Sequence, residues 1–430
     1  MLRTLAQQQL TAQTRCRLQL RRALRSLGVS PTRSRLEAWS NLIGSSLGSG
    51  ARLFHNMEHV LQLCDGCEAT ASIAPVDGIR ILAALFHDLV YVQIDGGLPR
   101  ATCGLLNPFL LWRDGELYVR GLSCLQRHRS SALVAQIFGF DHCEAQPARL
   151  HNELLSALVM VRCLEGWLGW GDLAQAIAAI EATIPFRSQP QGFPHQNPAE
   201  QLFLRLHQAN SGFDLALGNR TILEAVHRAV AFANCDVESF TRRDPAVFLA
   251  YTWRLLPEFN PALRDPQGYG VQDYRRALQQ MELFVQRLDA NCIFQQFRHS
   301  PEPHICQAWQ RRAAHNLNVA KLYLRVKLVA IALLEALAPY YSGGGAMADW
   351  ICSPPGQPAW QEGFGCRNLL SQPLTTPAQQ QVLAVAEQGR IGDCSFDLSQ
   401  SPLAAFLMRS LGFERIDQLY RQAEAVNAPS

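Results

Sequence analysis

The sequence contains few charged residues and almost no lysine. Charged residues make up 17% of the 430 residues, and the net charge at neutral pH is only +3. Arginine supplies nearly all of the positive charge, since the only lysines are Lys321 and Lys327. A net charge this small gives no reason to expect a nucleic acid as the main partner. Because 48% of the residues are hydrophobic, the chain can bury a large core and is not disordered as a whole.

Long apolar segments and a paired-cysteine pattern are also missing. No apolar run reaches the roughly 18 residues that a membrane span needs, so no membrane partner is expected. The best run, Val326 to Leu337, is broken by Lys327 and Glu335. The 13 cysteines are scattered and odd in number, which argues against a secreted disulfide framework and favours the reducing cytoplasm. The single Cys64-Asp-Gly-Cys67 pair has no second pair, so we interpret it as a helix end with free thiols.

The amino-terminal segment is rich in arginine and has no acidic residue before Glu37. This composition is consistent with a transit-like segment or with an amphipathic helix that has an arginine face. We favour the helix, because leucines and alanines recur there at three- and four-residue spacing.

Apolar residues recur with helical spacing along most of the chain, which predicts an all-α fold. The predicted domains are an amino-terminal helical segment (1–50), a metal-binding helical domain (51–300) with an insertion at about 98–148, and a carboxy-terminal helical region (301–430). The predicted helices are Leu2–Leu27, Ser34–Ile43, Arg52–Cys64, Gly78–Tyr91, Asn152–Trp167, Asp172–Ala182, Leu202–Leu217, Thr221–Asn234, Asp273–Phe297, Ile305–Leu337, Thr376–Gly389 and Leu403–Val426.

Two histidine motifs lie within forty residues of each other. His55 and His59 are four residues apart, so on one helix their imidazoles would share a face. His87 and Asp88 follow the apolar run Ile81 to Phe86, where a buried polar pair needs partners or a ligand. A metal ion is the simplest common partner for imidazoles and a carboxylate in one buried place.

The combination H-N-x-x-H, then an apolar helix that ends in F-H-D-x-x-Y, resembles the HD superfamily of metal-dependent phosphohydrolases. It is most similar to a bacterial group of predicted HD phosphohydrolases, as are the N-E-x-x-S-A pattern at Asn152 and the Thr183-Ile-Pro-Phe segment. The resemblance covers about residues 50–95 and 150–240. It implies an HD-domain helical bundle in which His59, His87, Asp88 and Asp236 bind a divalent metal ion. The mixed ligands suit Mn, Fe, Co, Ni, Zn or Mg.

The resemblance also implies catalytic roles. His55 would protonate the leaving oxygen, and Asp88 or Asp236 would help to orient the attacking water. Glu153 would be an acceptor for a ligand histidine or for that water; it is equally explained as a first-turn glutamate favoured by the helix dipole. The expected substrate is a small phosphomonoester or phosphodiester, including nucleotides. No GYP motif follows, so a cyclic-di-GMP phosphodiesterase of that class is disfavoured. The alternative is an HD-fold regulatory or nucleotide-binding protein with little turnover.

Overall fold

Helices dominate the computed structural model, which confirms the predicted all-α class. The structure describes residues 11–69, 77–187, 197–265, 268–337, 373–392 and 396–427. The chain forms two compact units, Met1–Glu238 with Cys292–Gln307, and Ser239–Asn291 with Ala308–Ser430. The second unit therefore includes residues 239–291, which the sequence-based division assigns to the metal-binding domain. Among the described residues, no helix combines the length and the apolar character that a membrane crossing requires.

The first unit is built mainly of helices. They are α1 (Ala12–Ser26), α2 (Arg33–Leu47), α3 (Met57–Ala69), α4 (Gly78–Phe86), α5 (Val92–Asp95), α6 (Arg100–Leu106), α7 (Leu122–Leu125), α8 (Arg129–Phe138), α9 (Asn152–Leu164), α10 (Trp170–Ala182), α11 (Pro198–Gly212) and α12 (Asn219–Asp236). Short 3-10 turns lie at Asn107–Phe109 and Ala148–Leu150.

The predicted insertion contains most of the described β-structure. A three-stranded antiparallel sheet is formed by β1 (Leu110–Arg113), β2 (Glu116–Val119) and β3 (Gln146–Pro147), in the order β1-β2-β3. The β1–β2 turn places Asp114 and Gly115 at positive φ, a conformation that asparagine, aspartate and glycine adopt most readily. The insertion is thus a folded element that packs on the helices, not a plain loop.

The core of the first unit surrounds α4 and α10. Eight of the nine residues of α4 have no polar side chain, and all eight are buried. Burying one large aliphatic side chain contributes roughly 1.5 to 3 kcal/mol before entropy costs. The helix packs against α1, α3 and α10, while α10 packs against α12. This packing brings the end of α4 next to α3 and α12.

The second unit is helical as well. Its described elements include α13 (Pro245–Trp253), α14 (Leu256–Phe259), α15 (Val271–Arg287), α18 (Pro377–Gln388) and α19 (Pro402–Asn427), with 3-10 turns at Glu238–Thr241 and Pro261–Arg264. The short α16 (Ala290–Ile293) and the 35-residue α17 (Pro303–Leu337) contribute residues to both units. Gly412 interrupts α19 with a φ of 71°, which glycine adopts without the steric cost of a Cβ atom.

A buried carboxylate organises the interior of the second unit. Asp397 accepts hydrogen bonds from the Trp253 indole (2.8 Å), the Tyr274 hydroxyl (2.7 Å) and the Arg390 guanidinium (2.9 Å). Lys327 lies 3.4 Å away. Asp397 and Arg390 are 1% and 0% exposed, so each charge depends on the other for compensation.

Four predicted helices differ from those observed by five or more residues at one end. One of them, Leu202–Leu217, is observed at Pro198–Gly212. Arg52–Cys64 begins only at Met57, and Gly78–Tyr91 ends at Phe86. Asp273–Phe297 is replaced by α15, which ends at Arg287, and the separate α16. The first nine residues of the predicted helix Leu2–Leu27 lie outside the described residues. The sequence also predicts a loop at Ser188 to Asn197 and linkers that begin at Tyr341 and Ser353; both linkers, and all of this loop except Asn197, lie outside the described residues as well.

Candidate metal centre

His59 is positioned by the amino terminus of α3. Asn56 lies immediately before this helix and accepts hydrogen bonds from the backbone N–H groups of Glu58 (2.9 Å) and His59 (3.1 Å). Asparagine is among the best residues for this capping position. The cap starts the helix after His55, so the expectation that His55 and His59 share a helix face is wrong. His59 lies in the first turn of the helix and is 5% exposed.

His87 lies at the carboxy-terminal end of α4, and its ring is fixed by the helix that carries it. The Nδ1 atom is 2.9 Å from the carbonyl oxygen of Ala84, so Nδ1 donates a proton to this acceptor. The Nε2 atom then faces the opposite side, where a histidine ligand would present its lone pair. The side chain is 2% exposed.

Asp88 lies in a short non-helical segment that α9 holds in place. The Ser156 hydroxyl accepts a hydrogen bond from the N–H of Val90 (3.0 Å). The Asn152 side chain accepts one from the N–H of Val92 (3.1 Å). These bonds satisfy backbone groups that would otherwise continue helix α4. Asn152 and Ser156 of the N-E-x-x-S-A pattern therefore have a structural role that the sequence alone did not predict.

Asp236 is the last residue of α12, which packs against α3 and α4. Its Oδ1 atom lies 3.1 Å from His59 Nε2 and 3.7 Å from His87 Nε2. Asp88 Oδ2 completes the group, 3.1 Å from His87 Nε2 and 3.7 Å from His59 Nε2. All four residues predicted as metal ligands thus converge, although about 180 residues separate His59 of the first motif from Asp236.

The separations suit ligands of one metal ion. Ligand atoms that each lie about 2.1 Å from a shared metal are about 3.0 to 3.4 Å apart in octahedral or tetrahedral arrangements. The four nitrogen–oxygen distances run from 3.1 to 3.7 Å. Ligand atoms of His59, His87 and Asp88 all lie within 4.8 Å of one another. Two carboxylates and two neutral imidazoles carry a charge of −2, which a divalent cation balances.

The electrostatics of the group also favour a cation. Burial alone would lower the pKa of His87, but the negative charges of Asp88 and Asp236 outweigh it and raise the pKa. Burial likewise opposes the charged forms of Asp88 and Asp236, but the neighbouring histidines outweigh it and hold both pKa values below the ordinary range. His87 Nε2 and Asp88 Oδ2 are buried without hydrogen-bond partners. An ion between them would satisfy both atoms.

His55 lies beside this group but outside it. Its ring packs against Tyr91 at a centroid distance of 4.6 Å and against Phe54 at 4.8 Å, while the His59 ring is 6.3 Å away. The side chain is half-buried. Its charge contributes to the lowered pKa of Asp88, after the larger effect of His87. His55 is therefore near the ligands and partly accessible, as a proton donor to a substrate would need to be.

Glu153 lies in the first turn of α9. Burial raises the pKa of Glu153 to about 7; its own backbone N–H opposes the shift, and the negative charge of Asp88 adds to it. The carboxyl group is thus within electrostatic reach of Asp88. That Glu153 accepts a hydrogen bond from a ligand histidine or from the attacking water stays a prediction.

Comparisons with known proteins provide no relatives. No protein-family model, no curated protein and no solved structure matches this chain. The resemblance to HD phosphohydrolases therefore stays a prediction, carried by the order and spacing of the motif residues.

Proposed function

We propose that the protein is a metal-dependent phosphohydrolase that cleaves a phosphate ester in a small phosphorylated molecule or nucleotide, in the reducing cytoplasm that its cysteines favour. One observation supports this most strongly. The imidazoles of His59 and His87 and the carboxylates of Asp88 and Asp236 converge in a buried position with separations of 3.1 to 3.7 Å. These four residues follow the order of the HD motif, and their chemistry fits Mn, Fe, Co, Ni, Zn or Mg.

A divalent cation held there would supply Lewis-acid stabilisation of the phosphate ester and a water molecule of lowered pKa near neutral pH. The side chains of the protein would do the rest. Asp88 would orient the attacking water as well as hold the ion. Buried surroundings strengthen each of these interactions relative to bulk water.

His55 would donate a proton to the leaving oxygen. It is half-buried, lies off the helix that carries His59, and is supported by the Tyr91 ring at 4.6 Å. An imidazole with a pKa near 6.5 is suited to general-acid work at neutral pH. Glu153 would accept a hydrogen bond from a ligand histidine or from the water, since the negative charge of Asp88 contributes to its raised pKa.

The test is phosphate release from a panel of phosphomonoesters, phosphodiesters and nucleotides, with the protein reconstituted separately with each metal. We expect metal-dependent turnover that Asp88→Ala abolishes. His207→Ala is the control, because the His207 ring lies against Phe203 on α11 and has no proposed role. Tight nucleotide binding without hydrolysis, whichever metal is supplied, would instead favour the alternative of a regulatory or nucleotide-binding protein.

Substrates with different leaving groups test His55 separately. His55→Ala should slow substrates with poor alkyl leaving groups by about 10² to 10⁴-fold. It should slow a nitrophenyl ester much less, because that leaving group departs without protonation. An equal loss with both leaving groups would contradict the proton-donor role of His55.

A further inference from the structure

Arg52 has the most completely buried charged side chain among the described residues near the motifs, with an exposure of 0%. Its guanidinium donates to both carboxylate oxygens of Asp95, with Nε 2.9 Å from Oδ1. It also donates to the backbone carbonyl oxygens of Asp88 and Leu89, the latter at 3.2 Å. The Ser49 hydroxyl donates to the same Asp95 carboxylate (3.1 Å). All of these residues belong to the first unit.

The two carbonyl groups belong to the segment that leaves α4 immediately after His87. Carbonyl groups at a helix end have no partners within the helix and carry its negative partial charge. A guanidinium is suited to this place, since its planar fork can bind two carbonyls and a carboxylate at once. Arg52 therefore fixes the backbone of the residue that offers a carboxylate to the metal group.

Arg52 also joins this segment to the first motif. It lies three residues before His55, and Asp95 lies four residues after Tyr91, whose ring contacts His55 at 4.6 Å. The Arg52 guanidinium thus connects the segment that carries His55 with the Asp88–Leu89 backbone and with Asp95 at the end of α5. The distance between the proton donor and the ligands depends on this connection.

Stability alone is a weak explanation for such a pair. A buried ion pair contributes little net stability compared with well-packed apolar residues, because both charges lose their hydration. Its directional hydrogen bonds, in contrast, specify one backbone arrangement.

We propose that Arg52 is a positioning residue, oriented by Asp95, that holds Asp88 and His55 in the arrangement required for metal binding and proton transfer. The inference rests on the proposed function, because it concerns the same metal centre. Arg52 itself touches neither the substrate nor the ion in this account; it acts through the Asp88 and Leu89 carbonyl groups.

The test measures Co²⁺ affinity and the visible absorption of bound Co²⁺ in the full chain, at a temperature where each variant is fully folded by circular dichroism. We expect Arg52→Gln to weaken Co²⁺ binding by about 10 to 100-fold, the range seen when groups that orient metal ligands are removed, and to change the Co²⁺ spectrum. Arg52→Lys should not restore either property, since an ammonium cannot reproduce the fork.

The matched control is Arg205→Gln. Arg205 donates to the Ile137 carbonyl (2.6 Å) and to the buried Glu181 carboxylate, so it has the same chemistry at another place in the first unit. Its loss should leave Co²⁺ affinity unchanged. A spectral change in Arg52→Gln but not in Arg205→Gln separates positioning from general destabilisation.

Asp95→Asn provides a second variant that is decisive if Arg52→Gln does not fold. Asparagine has the same shape as aspartate but lacks its charge. We therefore expect Asp95→Asn, like Arg52→Gln, to bind Co²⁺ more weakly than the unaltered protein. The double variant should be no weaker than Arg52→Gln alone, because the two residues act as one unit. If the unaltered protein binds no Co²⁺, the proposed function fails. If it binds Co²⁺ and these variants match its affinity and spectrum, the positioning role of Arg52 is refuted.

Discussion

The two histidines of the first motif should respond differently to substitution, because only one of them belongs to the ligand group. His59 Nε2 lies 3.1 Å from Asp236 and 3.7 Å from Asp88. His55 lies before α3 and packs on Tyr91 instead. We therefore expect His59→Ala to lose most of its metal affinity, whereas His55→Ala keeps it.

The magnitude follows from the number of ligands. Four-ligand structural zinc sites contribute about 10 to 16 kcal/mol of binding free energy, or roughly 2.5 to 4 kcal/mol for each ligand. At about 1.4 kcal/mol for each tenfold change, His59→Ala should weaken metal binding by roughly 10² to 10³-fold. His55→Ala should change it by less than about threefold, since no ligand is removed.

Competition between the protein and a fluorescent chelator measures this difference directly, with circular dichroism as the check of folding. Equal losses of affinity in both variants would show that His55 is a ligand, and the assignment of roles would be wrong. Full affinity in both would show that His59 is not a ligand, and the geometry of the group would have another cause.

Three further predictions concern stability. Asp397→Ala should destabilise the second unit by about 3 to 5 kcal/mol in urea unfolding, because it leaves Arg390 buried without its carboxylate; a loss below 1 kcal/mol would contradict this. Asn56→Ala should lower the free energy of unfolding by about 0.5 to 2 kcal/mol, because α3 loses its cap. Asn56→Asp should retain most of the stability that the cap provides, because aspartate is also a good capping residue. Burial and the nearby His142 lower the pKa of His151 to about 4, so the unfolded chain binds the proton more readily. The stability that neutral His151 contributes is therefore present above about pH 6.5 and lost as pH falls towards 4, and His151→Gln should weaken that dependence; an unchanged pH profile would refute it.

The sequence predicts the helical class and the ligand group better than it predicts the local backbone. Apolar spacing is sufficient to find most helices, since a buried face must recur every three or four residues. The motif residues identify His59, His87, Asp88 and Asp236. The structure groups the first three, and Asp236 lies 3.1 Å from His59 and 3.7 Å from His87.

The error at His55 has a visible cause in the sequence. Asn56 is a strong capping residue, but helical spacing of the two histidines suggested a continuous helix through it. The early end of α4 has a cause that local sequence does not contain. Ser156 and Asn152 accept hydrogen bonds from the backbone N–H groups of Val90 and Val92, which lie 66 and 60 residues away in the sequence. The role of Arg52 could not be predicted from the sequence for the same reason, because its partners, Asp95 and backbone carbonyl groups such as that of Leu89, are distant in the sequence.

The proposed hydrolase function requires a metal ion at the four converging residues. Elemental mass spectrometry of the purified protein and of Asp88→Ala, each after reconstitution and removal of loosely bound ions, tests this claim. We expect about one transition-metal ion per chain in the unaltered protein and a large loss in Asp88→Ala. No metal in either protein, or the same amount in both, would contradict the metal centre and the hydrolase function proposed from it.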